Sequence, residues 1–177
     1  LHPACRRQRQ MCIRDRPYQD ILNNKPLSIE EKCQTFDDEI ILVENIKKIF
    51  LLLLGKAFEK YGSEIEKNQQ VLLSLSDLAI EAYLSESTLK RTIKNIKRSS
   101  VEDQFDQINM TKLYIYEACQ IVLKKSNDVV NSIIDLKSQD KIHSSIAGKL
   151  KYSENPNIFE LKTKIAEKII SENRYCF

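Results

Sequence analysis

The stretch Val71–Ile96, VLLSLSDLAIEAYLSESTLKRTIKNI, decides the fold because its apolar residues repeat with a helical period. They recur at alternating steps of three and four residues, which places them on one stripe of an α-helix. Such a stripe is typical of a helix that packs against a near-antiparallel neighbour. We define this apolar seam as Leu72, Leu75, Ala79, Ala82, Glu86, Leu89, Ile93 and Ile96, widened by Val71, Leu78 and Tyr83. The sequence therefore predicts a central helix with more than one neighbour.

Further helical segments precede and follow the central helix, and they are separated by polar or glycine-containing breaks. Gly62-Ser63 ends the first, because glycine is the usual residue past a helix C-terminus. Ser100 offers an N-cap for the third. The expected segments are Asp37 to about Tyr61, Glu64 to about Lys97, Ser100 to about Lys125, a weaker one from Val129 to about Ala147 that kinks near Ser138, and Asn157 to Asn173, with breaks at Ser126-Asn127-Asp128 and at Tyr152–Pro156. The fold class predicted is all-α, an antiparallel helical bundle of about four to five helices.

The first sixteen residues, LHPACRRQRQMCIRDR, show no helical or strand period and contain five arginines and two cysteines. The run RRQRQMCIRDR (Arg6–Arg16) resembles the in-frame translation of a transposase-type sequencing adapter, and Leu1 to Cys5 fit its flanking primer. We expect residues 1–16 to be adapter-derived and disordered, and such segments are set aside before fold reasoning. A basic nucleic-acid-binding arm is the competing interpretation. We expect residues 17–35 to be a linker with one short helix at Ser28–Cys33, and residues 36–177 to be the helical domain.

Setting residues 1–16 aside changes the charge of the chain. The whole sequence has 28 basic and 25 acidic residues, net +3; without five arginines and one aspartate it has 23 and 24, net −1. Nucleic-acid affinity depends on clustered positive charge, so we expect no nucleic-acid partner. The remaining cysteines, Cys33, Cys119 and Cys176, are odd in number and far apart, which favours a reducing, cytoplasmic compartment over a disulfide framework.

No catalytic, cofactor-binding or metal-binding residue can be assigned from the sequence. His143 lies between polar residues of the weakest helix, and we interpret it as a surface histidine. The three glycines, Gly55, Gly62 and Gly148, stand apart and form no phosphate-binding loop. Glu86 interrupts the apolar seam, and a carboxylate there needs a partner because an unpaired buried charge is costly. We predict a structural pair between Glu86 and a Lys, Arg or Tyr of a facing helix, with Tyr114 and Tyr116 as candidates, rather than a catalytic base.

The run IFLLLL (Ile49 to Leu54) is far too short to cross a bilayer, which takes about 20 residues. It covers more than one helical face, so two interpretations stand open. Either the helix is buried on two sides, or the run forms an exposed patch for a partner or a membrane. The candidate patch residues are Ile49, Leu51, Leu52 and Leu54.

The chain from about Thr35 to Phe177 resembles the extra C-terminal helical domain of long-chain and very-long-chain type acyl-CoA dehydrogenases. The residues that carry the resemblance are VLLSLSDLAIEAYLSESTLKRT (Val71 to Thr92), IFLLLLGKAFEKYG (Ile49 to Gly62) and SENRYCF (Ser171 to Phe177). The resemblance implies a parent enzyme of fatty acid β-oxidation that binds FAD and removes the α and β hydrogens of an acyl-CoA. The flavin-binding and catalytic portions of that family have no counterpart here, so no functional residue is carried over.

The resemblance further implies that this chain is a non-catalytic C-terminal fragment that contains no cofactor of its own. Its implied partners are the catalytic portion of the parent chain and a second copy in a homodimer, with a membrane surface as the weaker possibility. The alternative from another class is a stand-alone helical protein-interaction module. No methionine occurs between Pro17 and Ile108, which favours the fragment.

Overall fold

The structure is a computed structural model that describes residues 34–98 and 104–173. Its described part contains five α-helices and no strand, which confirms the predicted all-α bundle. The predicted adapter segment 1–16, the short helix at Ser28–Cys33 and the Ser100 cap lie outside the described residues. We number the helices α1 (Asp37–Tyr61), α2 (Gln69–Arg98), α3 (Phe105–Ile133), α4 (Leu136–Lys149) and α5 (Ile158–Glu172).

The core lies between α1, α2 and α3, which pack against one another in all three pairs. The apolar seam of α2 supplies Leu75, Leu89 and Ile93, and all three are buried as predicted. Tyr83 was expected to widen the seam, but it is 70% exposed because it lies on the side of α2 away from α3. The fully buried side chains of α1 and α3 that meet the seam include Leu42, Val43, Ile46, Ile49, Leu53, Ile115 and Val122.

The connection between α1 and α2 is a 3-10 turn at Gly62–Lys67 rather than the first turns of α2. Gly62 follows α1 as predicted, and its φ of 54° and ψ of −128° suit glycine far better than any residue with a Cβ. Ile65 of the turn is buried in the core. The expected start of the central helix at Glu64 was therefore wrong by about one turn, because the buried Ile65 fixes the chain before α2 begins at Gln69.

Helix α3 is continuous through Ser126-Asn127-Asp128, where the sequence predicted a break. Ser126 is fully buried, and Val129, Val130 and Ile133 continue the buried face of the same helix. The burial of these apolar residues outweighs the weak helix preference of the three polar ones. The chain breaks instead at Ile134 and Asp135, so α4 begins at Leu136 and the expected kink at Ser138 is absent.

Helix α5 has the two ends that its sequence predicts. Asn157 is the N-cap, and its side chain accepts a hydrogen bond from the Glu160 backbone N–H. Asn173 adopts the left-handed conformation that ends many helices. Yet α5 has no buried residue: Ile158, Leu161 and Ile165 are half-buried against α3, and Ile169 is exposed.

The run Ile49 to Leu54 is largely part of the core. Ile49, Leu52 and Leu53 are buried, and Phe50 and Leu54 are half-buried. Ile49 and Leu52 are therefore not patch residues, because α1 is covered by α2 and α3 and also contacts α4. Leu51 is exposed, as the patch interpretation expected. No helix in the described ranges is long and apolar enough to cross a membrane.

Candidate functional site

Several polar side chains within the bundle join one helix to another. The Lys47 ammonium of α1 lies 3.2 Å from Glu86 Oε1 of α2 and 3.1 Å from Glu44 Oε1 of its own helix. Lys90 approaches Glu86 Oε1 at 2.6 Å from one turn further along α2. Glu86 thus has the facing-helix lysine that the sequence predicted. The cluster fixes α1 against α2 at about the middle of both helices.

The two tyrosines considered as partners of Glu86 lie elsewhere. Tyr114 of α3 donates a hydrogen bond of 3.0 Å to Glu81 Oε2 of α2. Burial, and then the bond to Glu81, raises the pKa of Tyr114 to about 12, so its hydroxyl remains a donor at neutral pH. Tyr116 packs instead on Tyr152, with ring centroids 6.1 Å apart. The spacing of residues in the apolar seam could not show whether Glu81 or Glu86 faces α3.

Two further contacts hold α2 against α3. The Thr92 and Thr111 hydroxyl oxygens are 2.7 Å apart in a buried hydrogen bond. Lys125 Nζ lies 2.7 Å from Asp77 Oδ2 near the other end of the same interface. Together with Tyr114 and Glu81, these contacts form a ladder of polar pairs along α2 and α3. The ladder fixes the register of the two helices.

A small cavity of about 280 Å³ lies beside α3, α4 and the segment that follows α4. Cys119 and Tyr152 line it, and in the described part of the chain the buried Tyr152 hydroxyl has no hydrogen-bond partner. Burial, with a contribution from Glu39, raises the pKa of the Cys119 thiol to about 12. The thiol is therefore protonated at neutral pH and is a poor nucleophile.

His143 is the one histidine in the described ranges, and it is a helix–helix contact rather than a free surface residue. Its Nδ1 lies 2.7 Å from Asn127 Oδ1, and its Nε2 lies 2.9 Å from Asn131 Oδ1. Both asparagines belong to α3, so the imidazole joins α4 to α3 through both ring nitrogens. Asn127 and Asn131 are four residues apart, and Asp140 and His143 are three apart, so each pair lies on one side of its helix. The sequence would suggest that these two polar sides face each other only if α3 were predicted to continue past Asp128.

We tested whether the described residues could hold a metal ion or FAD. Within the described ranges, no group of three His, Cys, Asp or Glu side chains is arranged to hold a metal ion. The cavity beside Cys119 is too small for a dinucleotide, and a wider groove near Lys60 and Leu136, about 600 Å³, is open to solvent. Neither of these two pockets fits FAD.

Outside the core, α1 and α2 carry large apolar side chains that face solvent. Six of these side chains form the set that we call the outer face, defined as Leu51, Phe58, Leu73, Ile80, Tyr83 and Leu84. Leu73, Ile80 and Leu84 recur at steps of seven and four, on the side of α2 opposite its apolar seam. Ile80 is 52% exposed and Leu73 is 65% exposed. Of these six residues, only Leu51 was predicted to be exposed, because the prediction for α2 considered its apolar seam alone.

The fold and these contacts define an antiparallel helical-bundle domain with a closed core and an apolar outer face. Comparison with known proteins then identifies the family. The model of the acyl-CoA dehydrogenase C-terminal domain matches residues 45–147, which is more than half of the chain. The chain belongs to this family.

Two relatives are much longer than this chain. A probable acyl-CoA dehydrogenase of Bacillus subtilis (strain 168) is 26% identical over 141 residues, which cover 78% of this chain and 23% of that protein. The crystal structure of an acyl-CoA dehydrogenase complexed with FAD from Bacillus anthracis superposes with a TM-score of 0.78 and 25% sequence identity. That match covers 90% of this chain and 28% of the other. The chain thus spans about a quarter of the length of these relatives.

Proposed function

We propose that this chain is the C-terminal helical domain of a longer FAD-dependent acyl-CoA dehydrogenase, with the domain formed by residues 36–177. The observation that carries the proposal is the family match over residues 45–147, together with relatives more than three times as long as this chain. The sequence resemblance of Val71 to Thr92 further supports a parent of the long-chain or very-long-chain type. The parent would remove the α and β hydrogens of an acyl-CoA during fatty acid β-oxidation.

In this proposal the domain itself is non-catalytic, and FAD is held by the preceding portion of the parent. That division of roles is supported by the use of Lys47, Glu86, Thr92 and Thr111, polar side chains within the bundle, in helix–helix contacts. The domain would support docking within the parent and dimerisation of the parent.

We further propose that residues 1–16 are adapter-derived and that residues 17–35 link the domain to the portion of the parent that precedes it. We place the parent in the cytoplasm, since the widely spaced cysteines after Pro17 suggest a reducing compartment. Peripheral contact with a membrane is the weaker possibility, because the net charge after Pro17 is −1 and gives little attraction to anionic lipid.

A stand-alone helical interaction module is the second candidate. The observation that favours it is the closed core, in which buried residues from α1 to α4 form one cluster. A bundle with such a core can fold without a covalently attached partner. Its outer face would then bind a separate protein.

An independent genomic read across the junction at Pro17 separates the two candidates. We expect an open frame that continues upstream into a flavin-binding dehydrogenase portion. The full-length protein should then oxidise long-chain acyl-CoA with bound FAD, and the 177-residue chain should not. A start codon close to Pro17, with no dehydrogenase portion, would contradict the proposal and favour the separate module.

A further inference from the structure

The outer face lies on two adjacent helices rather than on one. The short connection at Gly62–Lys67 makes α1 and α2 an antiparallel pair, and the Lys47–Glu86 contact sets their register. Leu51, one turn after Lys47, therefore lies level with Tyr83, one turn before Glu86. Phe58 and Leu73 continue the face toward the connection. Exposed apolar side chains that are grouped on paired helices, rather than scattered singly, mark a candidate interaction surface.

Basic side chains extend the outer face along α2. Arg91, Lys94 and Arg98 follow Leu84 at steps that keep them on the same side of the helix. All three are exposed, and the described part of the chain provides no ion pair for them. Lys90, by contrast, contacts Glu86. The outer face of α2 is thus apolar in its first half and basic in its second.

This distribution of charge specifies the chemistry of the partner surface. The first half of the face requires apolar side chains opposite Leu73 and Ile80, and the second requires carboxylates opposite Arg91 and Lys94. The aliphatic and aromatic residues would supply most of the affinity, and the charges would orient the partner.

The partner is most simply the rest of the same polypeptide. The relatives are more than three times as long as this chain, so each holds the bundle beside a larger attached portion. A tethered surface is present at an effective concentration in the millimolar range, which exceeds that of a second copy in dilute solution. A contact within one chain therefore forms before a contact between two chains.

We propose that the outer face of α1 and α2 docks on the dehydrogenase portion of its own polypeptide, at a surface that combines apolar side chains with carboxylates. The proposal rests on the proposed function, and it adds which face of the bundle is used. Helix α5 and the neighbouring Phe105 of α3 also expose apolar side chains, Phe159 and Ile170 among them, but Lys162, Lys164 and Lys168 of α5 already contact carboxylates. Helix α5 is therefore the reference surface for the test.

The test compares thiol labelling of two variants, Ile80→Cys on the outer face and Phe159→Cys on α5. Each is made both in the full-length polypeptide and in the 177-residue chain, and maleimide labelling is followed at the peptide level by mass spectrometry. We expect Ile80→Cys to react at least about tenfold more slowly in the full-length protein than in the chain, because it is reached only when the contact opens. Phe159→Cys should react at the same rate in both. Leu73→Cys repeats the measurement should Ile80→Cys fail to fold, which circular dichroism reports.

Each other outcome has a defined meaning. Equal labelling of Ile80→Cys in the two proteins overturns the docking face and leaves the proposed function standing. An open reading frame with no dehydrogenase portion upstream of Pro17 overturns both the docking face and the proposed function. Slow labelling in the 177-residue chain itself, with a dimer by light scattering, assigns the face to a second copy. Protection that arises only on addition of phosphatidylglycerol vesicles assigns it to a membrane. Either of these last two results replaces the dehydrogenase portion as the partner of the outer face.

Discussion

Lys47 and Glu86 face each other across α1 and α2, with the Lys47 ammonium 3.2 Å from Glu86 Oε1. The same ammonium lies 3.1 Å from Glu44 Oε1, so a single cation serves a carboxylate on each helix. Glu44 is buried and the Glu86 side chain is 22% exposed, so both lie mostly outside bulk water. The cluster therefore contributes more to the packing of α1 against α2 than an ion pair exposed to solvent would.

Replacement of Lys47 by methionine should destabilise the bundle by about 2 kcal/mol, because it removes a cation from between two poorly hydrated carboxylates. Urea unfolding followed by circular dichroism measures the change. The matched control is Lys67→Met, whose partner Glu64 is as exposed as the lysine itself and whose loss should cost less than about 0.5 kcal/mol. Equal effects of the two substitutions would contradict the role given to Lys47.

The buried Thr92–Thr111 hydrogen bond predicts a non-additive pair of substitutions. Thr92→Val or Thr111→Val alone should cost about 1 kcal/mol, because each leaves the other hydroxyl without its 2.7 Å partner. The double valine variant should be less destabilised than the sum of the two, since no orphaned hydroxyl remains. A double-mutant cycle from urea unfolding measures the coupling. Strict additivity would show that each hydroxyl relies on its own helix carbonyl, Thr88 or Gln107.

Two glycines with open space around them predict effects of opposite sign. Gly62 has a φ of 54°, and Gly62→Ala should cost about 1 kcal/mol through backbone strain alone, because nothing lies within 4 Å of the added Cβ. Gly148 lies within α4 with equally open space, and Gly148→Ala should stabilise the bundle by about 0.5–1 kcal/mol. Thermal unfolding compares them. Two shifts of the same sign would exclude a backbone explanation.

Glu39 predicts a specific dependence of stability on pH. Burial raises its pKa above the ordinary value of 4.5, so the folded chain keeps a proton that the unfolded chain has released. The free energy of unfolding therefore falls as the pH rises from about 4.5 to the folded-state pKa. Glu39→Gln removes this loss, so above that window the variant should be more stable than the parent chain.

The measurement is urea unfolding of both proteins at intervals from acid to neutral pH. The control is Glu66→Gln, which removes an exposed carboxylate and should leave the pH profile unchanged. Parallel profiles for the parent chain and Glu39→Gln would contradict the assignment to Glu39.

Local signals in the sequence were sufficient where a helix end depends on one residue. Gly62 was predicted as the residue past the end of α1, and Asn157 as the start of the last helix; in the structure Asn157 is the N-cap of α5. The buried members of the α2 seam were predicted for a similar reason, since helical spacing alone places them on one side. The fold class follows from these elements.

The errors arise where distant residues decide the outcome. Ser126 was read as part of a break, but the burial of Val129 and Val130 in the core keeps α3 intact there. Tyr114 was proposed for Glu86, yet the rotation of α3 brings it to Glu81. Leu52 was proposed for an exposed patch, and the packing around α1 covers it. None of these relationships is encoded within one helical turn.

Helix α5 shows a consequence of having a single neighbour. Among the described helices it packs on α3, and its cross-helix ion pairs, Lys162 with Glu117 and Lys168 with Asp106, also end there. Its detachment would leave the contacts among α1, α2, α3 and α4 in place. Amide hydrogens of α5 should therefore exchange with solvent well before those of the other four helices. Such an exchange pattern would define an order of opening, in which α5 is lost and regained while the core of the other four helices remains folded.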